Sequence, residues 1–228
     1  MSRAVVLLSG GLDSTVTLAY ALAERDEVIP LTIDYGQRHE REIMAAKNVV
    51  NYYGLDSHTI MDIDLHCFVS SALTSSSLTI PERGSVESIR EGIPVTYVPA
   101  RNIIFLSIAA GLCESESAGR VYIGANAVDY SGYPDCRPEF FGQFQRVLEV
   151  GTKTGVEGNA VEIVTPIIDL TKGEIVSLGK ELGAPLQLTW SCYRGGRVAC
   201  GRCDSCLLRL KGFEEAGTRD PIPYEEDE

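Results

Sequence analysis

Ala4-Val5-Val6-Leu7-Leu8-Ser9-Gly10-Gly11-Leu12-Asp13-Ser14 is the stretch whose reading decides the fold. Its apolar run, Ala4 to Leu8, is long enough for one buried strand. Two adjacent glycines then give a sharp turn and let the backbone approach a ligand closely. Asp13 or Ser14 is placed to cap a helix over residues 13–24. Strand, glycine turn and helix start together aim N–H groups and the positive end of a helix dipole at one spot, which suits phosphate. No lysine stands near the turn, so it is not a Walker loop. It also lacks the three spaced glycines of a dinucleotide fingerprint.

Working outward, strand and helix patterns alternate. Strands are expected over 4–9, 28–34, 58–63, 121–126 and 161–166. Helices are expected over 13–24, 38–53, 101–116, 138–150, 171–182 and 206–216. Ile43, Ala46, Val50 and Tyr53 fall at helical spacing and predict one buried face. Thr171-Lys172-Gly173-Glu174 reads as a capping box. Such alternation predicts an α/β fold with a doubly wound, mostly parallel five-stranded sheet covered by helices on both sides. Ligands in open sheets of this kind sit beyond the carboxyl ends of the strands, where the glycine turn lies. Residues 65–98 are too long and serine-rich for a plain connection, and 187–201 is also irregular.

The chain has 228 residues, 44% hydrophobic and 23% charged, which suits one soluble α/β unit. No apolar run approaches the ~20 residues of a membrane span. Met1-Ser2-Arg3 leads straight into the first strand, so no signal peptide and a cytoplasmic location with reduced thiols are expected. The net charge of −12 and the lack of a basic patch favour small substrates over nucleic acid.

Four of the seven cysteines cluster as Cys192, Cys200, Cys203 and Cys206. In a reducing compartment that density points to a metal rather than disulfides. Four thiolates make a closed tetrahedral site for Zn²⁺, and an iron–sulfur cluster is the rival on spacing alone. Neither leaves the metal an open position for catalysis. Cys67 and Cys113 are expected to be buried thiols. Trp190, beside Cys192, is expected to pack on the metal loop.

The Ser-Gly-Gly-Leu-Asp-Ser turn resembles the loop of the PP-loop superfamily, the N-type ATP pyrophosphatases. Tyr97-Val98-Pro99-Ala100-Arg101-Asn102, the loop from Tyr122 to Arg137, and Thr189-Trp190-Ser191-Cys192-Tyr193 narrow the likeness. With them the chain resembles the 7-cyano-7-deazaguanine synthase family from Val5 to about Tyr224. The resemblance implies a Rossmann-like domain over 1–186, of the adenine nucleotide alpha hydrolase type. It also implies a zinc-binding C-terminal segment over 187–228, with one structural Zn²⁺ on the four cysteines, and a homodimer. It implies ATP-dependent conversion of 7-carboxy-7-deazaguanine and ammonia to 7-cyano-7-deazaguanine, in queuosine or archaeosine biosynthesis. The acid would be adenylated, aminated to an amide, activated again and dehydrated, with Mg²⁺ bridging the phosphates.

The ATP site is assigned to Leu8, Ser9, Gly10, Gly11, Leu12, Asp13, Ser14, Thr15, Val16, Thr17 and Leu18. Asp13 has two open roles, holding Mg²⁺ or capping the helix. Arg101 and Lys172 begin helices where their charge opposes the dipole, which points to contact with phosphate or a substrate carboxylate. A deazaguanine needs a carboxylate acceptor for its N–H edge and a flat platform. Asp129, Tyr130, Tyr133 and Asp135 supply those types in one loop. Asp34-Tyr35-Gly36-Gln37 ends the second strand, near where a base or ribose can lie. The rival activity is a PP-loop tRNA thiolase with an iron–sulfur cluster, which the acidic charge disfavours. Looser rivals are an amidotransferase-type synthetase and a non-enzymatic zinc module.

Overall fold

The computed structural model describes residues 3–89, 92–128 and 132–225. Five strands, β1 (Arg3–Leu7), β2 (Glu27–Asp34), β3 (Thr59–Asp62), β4 (Arg120–Ile123) and β5 (Glu162–Val164), form one sheet in the order β3-β2-β1-β4-β5. Every pairing is parallel. The helices are α1 (Leu12–Ala23), α2 (Arg41–Tyr53), α3 (Arg101–Glu116), α4 (Pro138–Gly151), α5 (Lys153–Val156), α6 (Lys172–Glu181) and α7 (Asp204–Glu215). The expected strands and helices are all present, within a few residues of their expected ends. The short α5 was not expected; the Thr152 hydroxyl caps it by accepting from Gly155 N at 3.0 Å.

β1 explains the layers. Val5 and Leu7 face one core with Leu106, Ala110, Phe141 and Phe144, while Ala4 and Val6 face another with Leu18, Ala46 and Val49. Side chains alternate along a strand, so covering both faces demands the unbroken apolar run seen in the sequence. On α2 the buried residues are Ile43, Ala45, Ala46, Val49 and Val50, and Tyr53 is only half-buried. The capping box at Thr171 and Glu174 is formed. Cys113 is buried but Cys67 is exposed, contrary to expectation. Cys67 lies in the turn closed by the Phe68 N to Leu65 O bond at 2.9 Å, which turns it outward.

The strand order reverses direction beside β1. β2 and β3 run off one side, β4 and β5 off the other. The loops after β1 and β4 therefore diverge and leave a crevice at their carboxyl ends. The 65–98 segment does not hang free. Arg83 donates to Asp204 Oδ1 at 2.6 Å and Arg83 N to Arg202 O at 2.9 Å, tying it to the cysteine region.

Candidate active site

The glycine turn is laced by its own serines. The Ser14 hydroxyl donates to Gly11 O at 3.2 Å and accepts from Ser9 N at 3.2 Å. Gly11 N donates to Ser9 Oγ at 3.3 Å. The expected cap is not made. Gly11 precedes α1 and no side chain caps the helix, because Ser14 is spent on the turn and Asp13 on Lys172. The first-turn N–H groups of α1 thus remain available to an anion. Gly10 has φ +82°, and a Cβ there would lie 2.3 Å from Glu42 O and 2.5 Å from Ala46 N. Only glycine lets the turn and the start of α2 pack backbone against backbone.

Of the stretch assigned to ATP, Ser9, Gly11, Leu12, Asp13 and Ser14 line a cavity of about 250 Å³. Leu8 lines an adjoining cavity of about 170 Å³. Gly10 backs the turn. Thr15, Val16, Thr17 and Leu18 do not reach either cavity: they are fully buried along α1. Only the first turn of a helix presents its amides to a ligand at its end.

Lys172 Nζ donates to both carboxylate oxygens of Asp13, at 2.9 and 2.8 Å. Its stem crosses α7 at Gly212, where a Cβ would meet Lys172 Cγ at 2.4 Å. Arg101 lines both cavities from the start of α3 and lies over the Tyr133 ring, 5.9 Å from its centre. Burial works against its charge, but Tyr35, Tyr133, Cys136 and Asp135 raise its pKa above the ordinary value, so it stays a cation. The Tyr133 hydroxyl is 2.9 Å from Thr96 Oγ1, and its ring stands 5.9 Å from that of Tyr97.

The base-recognition residues fare unequally. Asp129 and Tyr130 lie outside the described residues. Tyr133 lines the larger cavity, and Asp135 lines neither. The buried Asp135 carboxylate accepts from Asn102 N at 3.0 Å, and Asn102 Nδ2 returns a bond to Asp135 O at 2.9 Å. It anchors the start of α3, where Ala100 has φ +55° and no side-chain cap. Tyr35 and Gln37, from the end of β2, line the smaller cavity with Thr32, Ile33 and Phe105. Burial pushes the Tyr35 hydroxyl up to about 12.

Glu42 and Arg209 also line the cleft, and sequence reasoning passed over both. Glu42 sits in the first turn of α2, and burial pushes its pKa up to about 7 against the opposing charge of Arg101. Nothing in the spacing of α2 marks it. Arg209 is fully buried and paired with Asp220, at 2.6 Å from Nε to Oδ2. It also donates to Thr189 Oγ1 at 2.6 Å and to Ser191 Oγ at 3.3 Å. Between those two residues, Trp190 N donates to Gly10 O at 2.9 Å.

All four clustered cysteines are buried, and their sulfurs lie within 4.8 Å of one another. Zinc–sulfur bonds of ~2.3 Å at tetrahedral angles imply sulfurs about 3.8 Å apart. Cys200 and Cys206 Sγ are 3.9 Å apart, far beyond a disulfide. Backbone amides of Arg194 and Cys200 point at Cys192 Sγ, and those of Arg202 and Cys203 at Cys200 Sγ, at 3.4–3.5 Å. Such donors stabilise thiolates, and the set fits a metal such as zinc. Hydrogen bonds from Cys203 and Cys206 already pull the Cys192 thiol well below its ordinary range. Trp190 packs on this cluster as expected, its indole N–H donating to Cys192 O at 2.9 Å.

The family model described as "Queuosine biosynthesis protein QueC" matches residues 3–217. The 7-cyano-7-deazaguanine synthase of Acetivibrio thermocellus is 57% identical over 226 residues, 99% of this chain and 99% of that protein. That of Picrophilus torridus is 55% identical over 226 residues, 99% of this chain and 93% of the other. That of a Nostoc species is 51% identical over 222 residues, 97% of each. The matched span contains the glycine turn, both cavities and the four cysteines, and the chain belongs to the 7-cyano-7-deazaguanine synthase family.

Proposed function

We propose that this cleft makes 7-cyano-7-deazaguanine from 7-carboxy-7-deazaguanine, ammonia and ATP. Family membership carries the product, and the relatives carry that name over the whole length of the chain. One observation carries the ATP chemistry: an uncapped α1 start behind a serine-laced glycine turn, faced by Lys172 and Arg101 in one cleft.

A carboxylate is a poor electrophile. Transfer of AMP to it releases pyrophosphate and turns the carboxyl oxygen into a leaving group. The α1 amides, Ser9, Ser14 and Lys172 hold the departing pyrophosphate, and fixed donors of this kind stabilise charge as it develops. Arg101 holds the substrate carboxylate or the α-phosphate. Asp13 would help hold Mg²⁺ brought in with ATP, and the ion would neutralise phosphate charge. The nucleoside occupies the smaller cavity against Tyr35 and Phe105, and the deazaguanine occupies the larger one against Tyr133. Zinc on the four cysteines is structural, residues 187–228 serving the domain formed by 1–186, and the working protein is a cytoplasmic homodimer.

Incubation with ATP, ammonium and the acid, followed by mass spectrometry, tests the reading. The expected products are the nitrile, AMP and pyrophosphate. Pyrophosphate release that does not depend on the acid would overturn it.

A further inference from the structure

Three carboxylates line the larger cavity: Asp13, Asp204 and Glu42. Asp13 is engaged by Lys172, and Asp204 by Arg83 at 2.6 Å. The Glu42 carboxyl makes no hydrogen bond or ion pair with any described residue, and it feels Arg101 only through space. Its position is nevertheless fixed. The backbone of Glu42 is packed on Gly10, so α2 cannot withdraw the residue without opening the glycine turn.

Glu42 lines both cavities. It shares that distinction with Ser9, Ser14, Arg101, Gly124 and Tyr193, which form the waist between them. The serines belong to the phosphate turn, so the waist is where an α-phosphate and an acyl group meet. ATP and the acid both arrive there as anions, and Arg101 suits them. A carboxylate repels both. Ammonium is the one substrate of the proposed reaction that a carboxylate attracts, and a half-buried carboxylate attracts it more strongly than water-exposed acids do.

We propose that Glu42 is the ammonium-docking residue, presenting nitrogen to the acyl carbon held beside Arg101. The inference rests on the adenylation reading above. The docked ion leaves one proton on the carboxylate, and the freed lone pair forms the carbon–nitrogen bond. The carbon–oxygen bond to the adenylate breaks, its electron pair leaving with AMP, and the nitrogen sheds its second proton to solvent. The product is the amide.

Glu42→Gln keeps the shape and removes the charge. Its KM for ammonium is expected to rise about 30-fold, the loss of one charge-assisted hydrogen bond. Acid-dependent pyrophosphate release should persist without ammonium, and the KM values for ATP and the acid should hold or fall, because the charge that repels both anions is gone. Hydroxylamine, uncharged at neutral pH, should trap the acyl adenylate equally well in both proteins. Glu42→Asp, which retains the charge, should recover part of the ammonium affinity and covers the case in which the glutamine variant fails to fold. An unchanged ammonium KM would overturn the proposal, as would a rise in ATP KM instead, which would place Glu42 on the ribose. If the native protein releases no pyrophosphate with the acid, the adenylation reading fails first, and that result is separate from any effect of the variants.

Discussion

Glu42 and Asp135 show how one residue type takes opposite roles. Asp135 is buried and Glu42 half-buried, both near Arg101, but the Asp135 carboxylate accepts from the backbone of α3 while Glu42 keeps its own for the cleft. Asp135→Ala removes the carboxylate that accepts from Asn102 N in the first turn of α3, and a loss of about 1–2 kcal/mol is expected. For a chain of this size that lowers the Tm by about 2–8 °C. A residue that touched only the substrate would leave the melting temperature alone. Glu42 predicts a pH effect of definite sign. Burial raises its pKa from 4.5 to about 7, Arg101 opposing and Cys192 adding to the rise. Between those values the folded chain holds a proton that the unfolded chain has lost, so Glu42 costs stability as pH climbs through the window. Glu42→Gln abolishes this titration. The variant should gain on the native protein by an amount on the order of 1–3 kcal/mol from acid to alkaline sides of the window, read by melting at each pH. An equal gap at both ends would disprove the assignment.

At the scale of elements, α7 gathers most of what the C-terminal segment contributes. Asp204, Cys206, Arg209 and Gly212 stand along one helix, and they meet the 65–98 segment, the cysteine cluster, Asp220 and Lys172 in turn. Its start follows directly on Cys203, one of four clustered sulfurs that would repel one another as thiolates without a cation. On the proposed zinc reading, Cys203→Ser should lose the metal and lower the melting temperature together, by 10 °C or more on an order-of-magnitude reckoning from structural zinc sites. Metal content by emission spectrometry alongside calorimetry checks it, and zinc loss with unaltered melting would make the site something other than structural. The glycine turn and the cysteine cluster were legible in the sequence because each is written in neighbouring residues. The strands were legible because two covered faces require continuous apolar runs. Glu42 was not, since only the packing of α2 on Gly10 brings it to the cleft. Asp135 lines neither cavity, because the path of the 134–137 turn gives its carboxylate to Asn102 N, and no local sequence pattern marks that path. Tyr133, on the same turn, does reach the cavity.

For the whole molecule, the sheet order sets where these pieces meet. β1 and β4 are neighbours whose following loops part, so residues far apart in sequence, from Ser9 to Arg209, line one crevice. A nucleotide that fills it ties together the glycine turn, α2, α3, α6 and α7. A non-hydrolysable ATP analogue at about 100 times its Kd should add about 2.7 kcal/mol, hence a rise in Tm of about 5–10 °C. Calorimetry checks this, and a shift of under a degree would show that the crevice does not take the nucleotide. One further consequence follows from Trp190. It is the chain's single tryptophan, its ring lies beneath Arg41 with the guanidinium carbon 4.8 Å from the ring centre, and it joins Gly10 to the sulfur lobe. The protein thereby carries one intrinsic fluorophore at the seam between its two chemistries. Emission from that lone indole can follow chelation from one side and nucleotide arrival from the other, without any added dye.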